Sequence, residues 1–331
     1  MAREYNHDPA TDSKLAVEIP EEVKKKRGGV KINVGRIVGQ LWENYSIYLV
    51  LVGLFIGGMV SSGAFLKIAN LLNVLRQISI LGLISIGMTF VILTAGIDLS
   101  VGAVLGLTSI VLALVMPKGM MIAIPVALLC GVGVGLANGV GVTKGGMPPF
   151  IVTLGMMSVG RGLALFISKG QVIEFANSYF EVLGAGRIKG LIPVPALIFL
   201  GMLGLASFFL RNTVFGRNIY AVGANEEAAR LSGISIENVK IVVYLLSGLL
   251  ASIGGLVFAS LLSVGVPTGG EGIELDAIAA VIIGGTSLSG GAGGMSGTFA
   301  GVLIIGLINN ILNLNNISPY IQQLAKGLII L

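Results

Sequence analysis

Side chains able to do chemistry are few and widely spaced in this chain. One cysteine, Cys130, and one histidine, His7, allow neither an internal disulfide nor a metal cluster. Inside the apolar runs the ionisable residues are Asp98, Arg161 and Asp276, with no recurring Asp/Glu pair to serve as acid and base. No G-x-x-x-x-G-K-[ST] occurs, so the sequence has no P-loop to cradle ATP phosphates. An intramembrane enzyme lacks its parts, and no catalytic residue or metal ligand is expected. The informative stretch is Asn225-Glu226-Glu227-Ala228-Ala229-Arg230-Leu231-Ser232-Gly233, a short polar helix between long apolar runs. Asn225 is a good N-cap, Glu226 and Glu227 bring negative charge to the helix's positive end, and Gly233 can take the left-handed conformation that stops it. Displayed outside a bilayer, such a helix offers a soluble partner something to grip.

The elements that hold this helix follow from composition. The chain is 54% hydrophobic and 11% charged, where a soluble domain carries about a quarter charged residues. Lipid is therefore its solvent, and an all-α integral membrane protein is expected. Fifty glycines against ten prolines fit closely packed membrane helices. A crossing helix needs about twenty mostly apolar residues. Candidate spans run from Tyr45 to Ser62, Ile78 to Ala95, Leu99 to Met116, Met120 to Val142 and Ile151 to Ile167. They continue from Leu191 to Leu210, Ile241 to Val264, Leu275 to Gly285, which is short, and Thr298 to Leu314. A stump from Ile321 reads as a last helix left incomplete at Leu331, which makes about nine to ten transmembrane or half-crossing helices.

Residues 1–45 form a polar tail with the basic run Lys24-Lys25-Lys26-Arg27, and 46–331 form the membrane domain. The first apolar run starts too far in for a usual cleavable signal. With the tail inside, 143–150 and the loop 211–240 also face the cytoplasm; 63–77, 117–119 and 168–190 face out. The inner segments then hold thirteen Lys/Arg against six in the outer ones, as the positive-inside rule requires. The tail's charges nearly balance and lack interleaved aromatics, so its basic run is read against anionic lipid and not nucleic acid.

An ionised group at the bilayer centre costs at least about 2.5 kcal/mol, so Asp98 needs a reason. It either caps the helix that starts at Leu99 and Ser100 or, with Ser100, lines a route where a helix breaks. Arg161, ten residues into its run, snorkels outward or pairs inside the bundle, and snorkelling is preferred. The segment from Leu275 to Gly285, followed by the Gly/Ser-rich 286–297, is either a half-crossing helix or a tight cytoplasmic turn. Thr89, Asn138, Ser287, Ser289, Asn309 and Asn310 offer hydroxyls and amides beside apolar runs, suited to a neutral polyol or to helix–helix hydrogen bonds. Gly96 to Gly102 and Gly285 to Gly291 both read G-x-x-L-S-x-G, an echo that would fit interrupted helices at equivalent places in two repeats.

The spacing Glu227-Ala228-Ala229-x-x-x-Gly233 matches the pattern by which permeases of ATP-binding-cassette importers couple to their ATPases. The runs 70–77, 87–94, 96–102, 148–156, 215–223, 274–291 and 326–330 resemble the monosaccharide importer permeases of ribose type, so the resemblance covers nearly everything after residue 45. It implies a permease subunit in a bacterial-type inner membrane, N-terminus in the cytoplasm. Its partners would be a second permease copy, a cytoplasmic ATPase that uses ATP and Mg, and an external sugar-binding protein. The chain itself would bind no cofactor. Glu226, Glu227, Ala228, Ala229, Arg230 and Gly233 would couple to the ATPase. Thr89, Asp98, Ser100, Asn138, Ser287, Ser289, Asn309 and Asn310 would line the sugar's path. A secondary transporter driven by an ion gradient is the rival, with few intramembrane charges to serve it.

Overall fold

In lipid a backbone N–H or C=O finds no water, so apolar runs close their hydrogen bonds internally as helices. The computed structural model describes residues 34–318 and positions 321, 322, 324 and 327, with side chains from Ile47 onward. Its helices are α1 (Val34–Ser61), α2 (Ile68–Leu93), α3 (Val101–Val115), α4 (Met120–Thr143), α5 (Pro149–Ser168) and α6 (Ser178–Ala185). They continue with α7 (Val194–Asn212), α8 (Val214–Ala224), α9 (Glu226–Leu231), α10 (Ile236–Leu262), α11 (Ile273–Ile283) and α12 (Met295–Leu314). Four two-residue strands pair antiparallel, β1 (Ile173–Glu174) with β4 (Val264–Gly265) and β2 (Arg187–Ile188) with β3 (Ile192–Pro193). Among the described residues seven helices are long and apolar enough to cross a membrane: α2, α3 with its short extension to Lys118, α4, α5, α7, α10 and α12. The expectation of an all-α membrane protein holds. Residues 1–33 of the tail, and most of the stump from Ile321, lie outside the described residues.

Central α2 is buried at every position from Ile78 to Leu93. It starts ten residues before the apolar run because Asn70 is satisfied: its amide exchanges hydrogen bonds of 3.0 and 2.8 Å with Asn310 on α12. Helices α4 and α10 pack closest where side chains vanish. Gly131, Gly135 and Gly139 repeat every four residues along one face of α4. A Cβ at Gly135 would overlap Tyr244 O, and one at Gly139 would lie 2.8 Å from Ile241 Cα. Small residues at this spacing let membrane helices touch through their backbones.

The eleven residues of α11 cannot cross a membrane alone. The crossing is completed by the non-helical stretch 264–272, which runs down α3: Gly265 lies against Ser109 and Ala113, Gly269 against Gly106 and Gly270 against Gly102. Such backbone survives at membrane depth only if side chains satisfy it. Ser109 Oγ accepts from Val266 N–H at 3.1 Å, and Arg161 Nη1 donates to the carbonyls of Pro267 at 2.6 Å and Gly269 at 3.0 Å. Arg161 is thus paired inside the bundle, which corrects the preference for snorkelling. Carbonyls freed by the unwound chain are stronger partners than distant headgroups. The short apolar run 275–285 thus lies for the most part in an eleven-residue helix, too short to cross alone.

The two G-x-x-L-S-x-G loops meet at one end of the bundle. Leu93 O, where α2 ends, accepts from Gly291 N–H at 3.0 Å, and Gly291 can point that N–H inward because its φ is +70°.

Candidate functional site

Two features stand out, a displayed arm and a buried polar knot. The arm is α8 and α9, at the end where the two loops meet. Thr213 caps α8 by accepting from Gly216 N–H at 3.0 Å, and Asn225 caps α9 by accepting from Ala228 N–H at 2.9 Å. Gly233, at φ +80°, closes α9 and lets Ile234 N–H reach Ala229 O at 3.0 Å. The helix runs from Glu226 as its caps dictate. Glu226, Glu227, Ala228, Arg230 and Gly233 are exposed, Ala229 is buried, and Leu231 shows 84% of its surface. A salt bridge from Lys240 to Glu226 ties α9 to the first turns of α10. The six expected coupling residues are therefore together on one capped turn, with Ala229 facing inward to seat it.

The arm is pinned to the membrane helices at Gly223. A Cβ there would overlap Leu93 O and come within 2.5 Å of Gly291 N. The end of α2 and the α11–α12 loop thus both bear on one residue of the arm. Beside it, Tyr220 Oη donates to Gly293 O at 2.9 Å. Burial pushes the Tyr220 hydroxyl above its usual range, against the opposing pull of Arg211, so it keeps the proton it donates.

The knot surrounds Asp98. After α2 ends, Ala95 turns with φ +57° and the chain enters the bundle again before α3 begins. Asp98, Ser100, Asn138 and Ser247 are each no more than 1% exposed. Asp98 Oδ1 accepts from Ser100 N–H at 3.0 Å, from Ser100 Oγ at 2.6 Å and from Asn138 Nδ2 at 3.4 Å. Oδ2 accepts from Ser247 Oγ at 2.7 Å, and Asn138 Nδ2 donates to Ser100 Oγ at 2.8 Å. The break between α2 and α3 is thereby stitched to α4 and α10. Asp98 does not cap α3, whose N-cap is Ser100 without a side-chain cap bond; it holds the Ser100 N–H just ahead of the helix, in the link between α2 and α3. Asn138 Oδ1 is buried with no hydrogen-bond partner among the described residues.

The remaining expected path residues are dispersed. Thr89 bonds Thr298 at 2.7 Å, and Asn310 bonds Asn70. Ser287 and Ser289 lie in the α11–α12 loop, where Ser287 Oγ accepts from Ser289 N–H at 3.2 Å. Asn309 Oδ1 is buried without a partner among the described residues. Sequence reasoning missed Ser247 and Tyr244, whose Oη donates to Ile97 O at 3.3 Å. The one available signal was a serine or tyrosine within the long apolar run of α10. No group of His, Cys, Asp and Glu that could hold a metal ion occurs among the described residues.

Residues 70–331 match the model of the branched-chain amino acid transport system permease component family. The chain belongs to this permease family. It is 47% identical to the ribose import permease protein RbsC of Bacillus subtilis (strain 168), over 84% of this chain and 88% of that one. Identity is 44% to RbsC of Escherichia coli (strain K12), over 88% and 92%. It is 37% to the L-arabinose transport system permease protein AraH of the same strain, over 88% and 90%. No solved structure matches significantly. The chain is a multi-pass membrane permease.

Proposed function

We propose that this permease is the membrane-spanning subunit of an ATP-binding-cassette importer that brings ribose, or a closely similar monosaccharide, into the cytoplasm. The observation that carries the reading is the 44–47% identity to ribose import permeases across more than four-fifths of each chain. The family name points to branched-chain amino acids, but such a solute carries a carboxylate and an ammonium. Here Asp98 is engaged with two serines and an asparagine and Arg161 with two carbonyls, while Glu274 Oε2 is buried without a hydrogen-bond partner among the described residues. A neutral polyol needs only hydroxyls and amides. Against an ion-gradient carrier stands the same identity to ribose import permeases.

In this reading the N-terminus and α9 face the cytoplasm of a bacterial cell and the membrane is the inner one. Glu226, Glu227, Ala228, Ala229, Arg230 and Gly233 dock on a partner ATPase, which supplies ATP and Mg chemistry that this chain does not. A second copy completes the pathway, and an external binding protein delivers sugar. When hydrolysis moves α9, Gly223 passes the motion to the ends of α2 and α11. The helices part around Asp98, Ser100 and Asn138, whose unpartnered Oδ1 is then open to a sugar hydroxyl. Thr89, Ser287, Ser289, Asn309 and Asn310 extend the path.

The test pairs co-purification with uptake. The chain should carry an ATPase through purification from its native membrane. Glu227→Lys should cut uptake at least about tenfold, equivalent to ~1.4 kcal/mol of coupling, with the amount of membrane protein unchanged. Full uptake by Glu227→Lys contradicts the assignment of α9.

A further inference from the structure

Beside the arm, whose Tyr220 it touches, a groove runs between α1, α7 and α12. Its outer pocket, about 270 Å³, is lined by Ser207, Arg211, Tyr220, Ser296 and the glycine-rich backbone 293–297. A second cavity of about 690 Å³ shares Ser207, Arg211 and Ser296, and continues between α7 and α12 along Leu200, Leu203, Phe299 and Leu303. One end is polar and the other apolar. Neither lining contains an aspartate or glutamate. Arg211 makes no hydrogen bond or ion pair among the described residues, since the one ion pair there joins Lys240 and Glu226. Ser207 and Ser296 line both cavities beside Arg211. A guanidinium without a hydrogen bond or ion pair among the described residues, where a long helix leaves the apolar region above a slot of leucines, has the chemistry to hold a phosphodiester carried on acyl chains.

We infer that this groove is a binding site for one anionic phospholipid, its phosphate on Arg211, Ser207 and Ser296 and an acyl chain between α7 and α12. The lipid bridges α7, which leads into the arm, and α12, which succeeds the α11–α12 loop, so it braces the two elements beside the Gly223 pin. The site stands on charge and shape and does not depend on which solute the permease carries.

The full-length protein is reconstituted in nanodiscs of equal phosphatidylglycerol and phosphatidylcholine with matched palmitoyl-oleoyl chains. It is then extracted gently and weighed by native mass spectrometry. Wild type should retain one phosphatidylglycerol in about fivefold preference, the scale of one arginine near a membrane surface. Arg211→Gln should retain both lipids equally, while Arg211→Lys keeps the preference. A Cβ at Gly204 meets nothing within 4 Å, so Gly204→Phe should fill the slot without disturbing the helices and abolish retention of either lipid. Equal retention by wild type, or an undiminished preference in Arg211→Gln, overturns the site. So does displacement of the adduct by millimolar inorganic phosphate, which would make it a free-anion site. An empty groove in wild type, covered by a second copy or by the tail, overturns it as well.

Discussion

Asp98 is the residue on which the buried chemistry turns. An unpaired polar group in the interior costs roughly 1–3 kcal/mol, and here four donors converge on one carboxyl group. Asp98→Leu should strand the Ser100 N–H, the Ser247 hydroxyl and the Asn138 amide together, and immunoblots of membranes should show the protein depleted. Asp98→Asn keeps an acceptor for Ser100 N–H, so the protein should persist while uptake falls. Normal uptake at a normal level in Asp98→Asn would remove Asp98 from the path. Three of the four members of this knot were readable in the sequence, because an aspartate, a serine and an asparagine beside apolar runs ask for partners. Ser247 was not: a serine on a long membrane helix can bond its own preceding turn, and only the fold brings it to Asp98. Arg161 was misjudged for the same reason, since its partners are backbone carbonyls that no side-chain pattern announces.

At the level of elements, α9 was written in the sequence, whereas α8 lay inside a stretch read as loop and the stretch 265–272 was not read at all. Asn225, the paired glutamates and Gly233 define both ends of α9 locally, but 264–272 shows its place only once its carbonyls are seen against Arg161 and α3. The seam between α4 and α10 gives a sharp contrast within one helix. Gly135→Leu must push against Tyr244 O, but a Cβ at Gly133 meets nothing within 4 Å. Thermal unfolding in detergent should therefore show Gly135→Leu destabilised by roughly 1–3 kcal/mol, the range for overpacking a tight interface, and Gly133→Leu unchanged. The pin between arm and loops is tested by Gly223→Ala. The variant should still hold the ATPase but consume more ATP per sugar moved, because the added methyl forces Leu93 and Gly291 apart. An unaltered ratio of ATP hydrolysed to sugar transported would mean that motion passes elsewhere.

For the whole molecule, the apolar runs foretold the order of the helices but gave nine candidate spans where seven described helices are long and apolar enough to cross, and they hid how the crossings are joined. The links between α2 and α3 and between α11 and α12 lie against each other and against the arm at Gly223, so that one lever at the α9 end bears on both. In the proposed function the force on that lever comes from an ATPase outside the bilayer. Sealed proteoliposomes holding the permease, its ATPase and its binding protein report this directly through labelled ribose uptake, with ATP supplied on the α9 side and with ionophores added in turn. Uptake should require ATP hydrolysis, survive collapse of proton and sodium gradients, and vanish in Glu227→Lys. Ribose accumulation that continues without ATP and stops with an ionophore would contradict the lever and the importer alike.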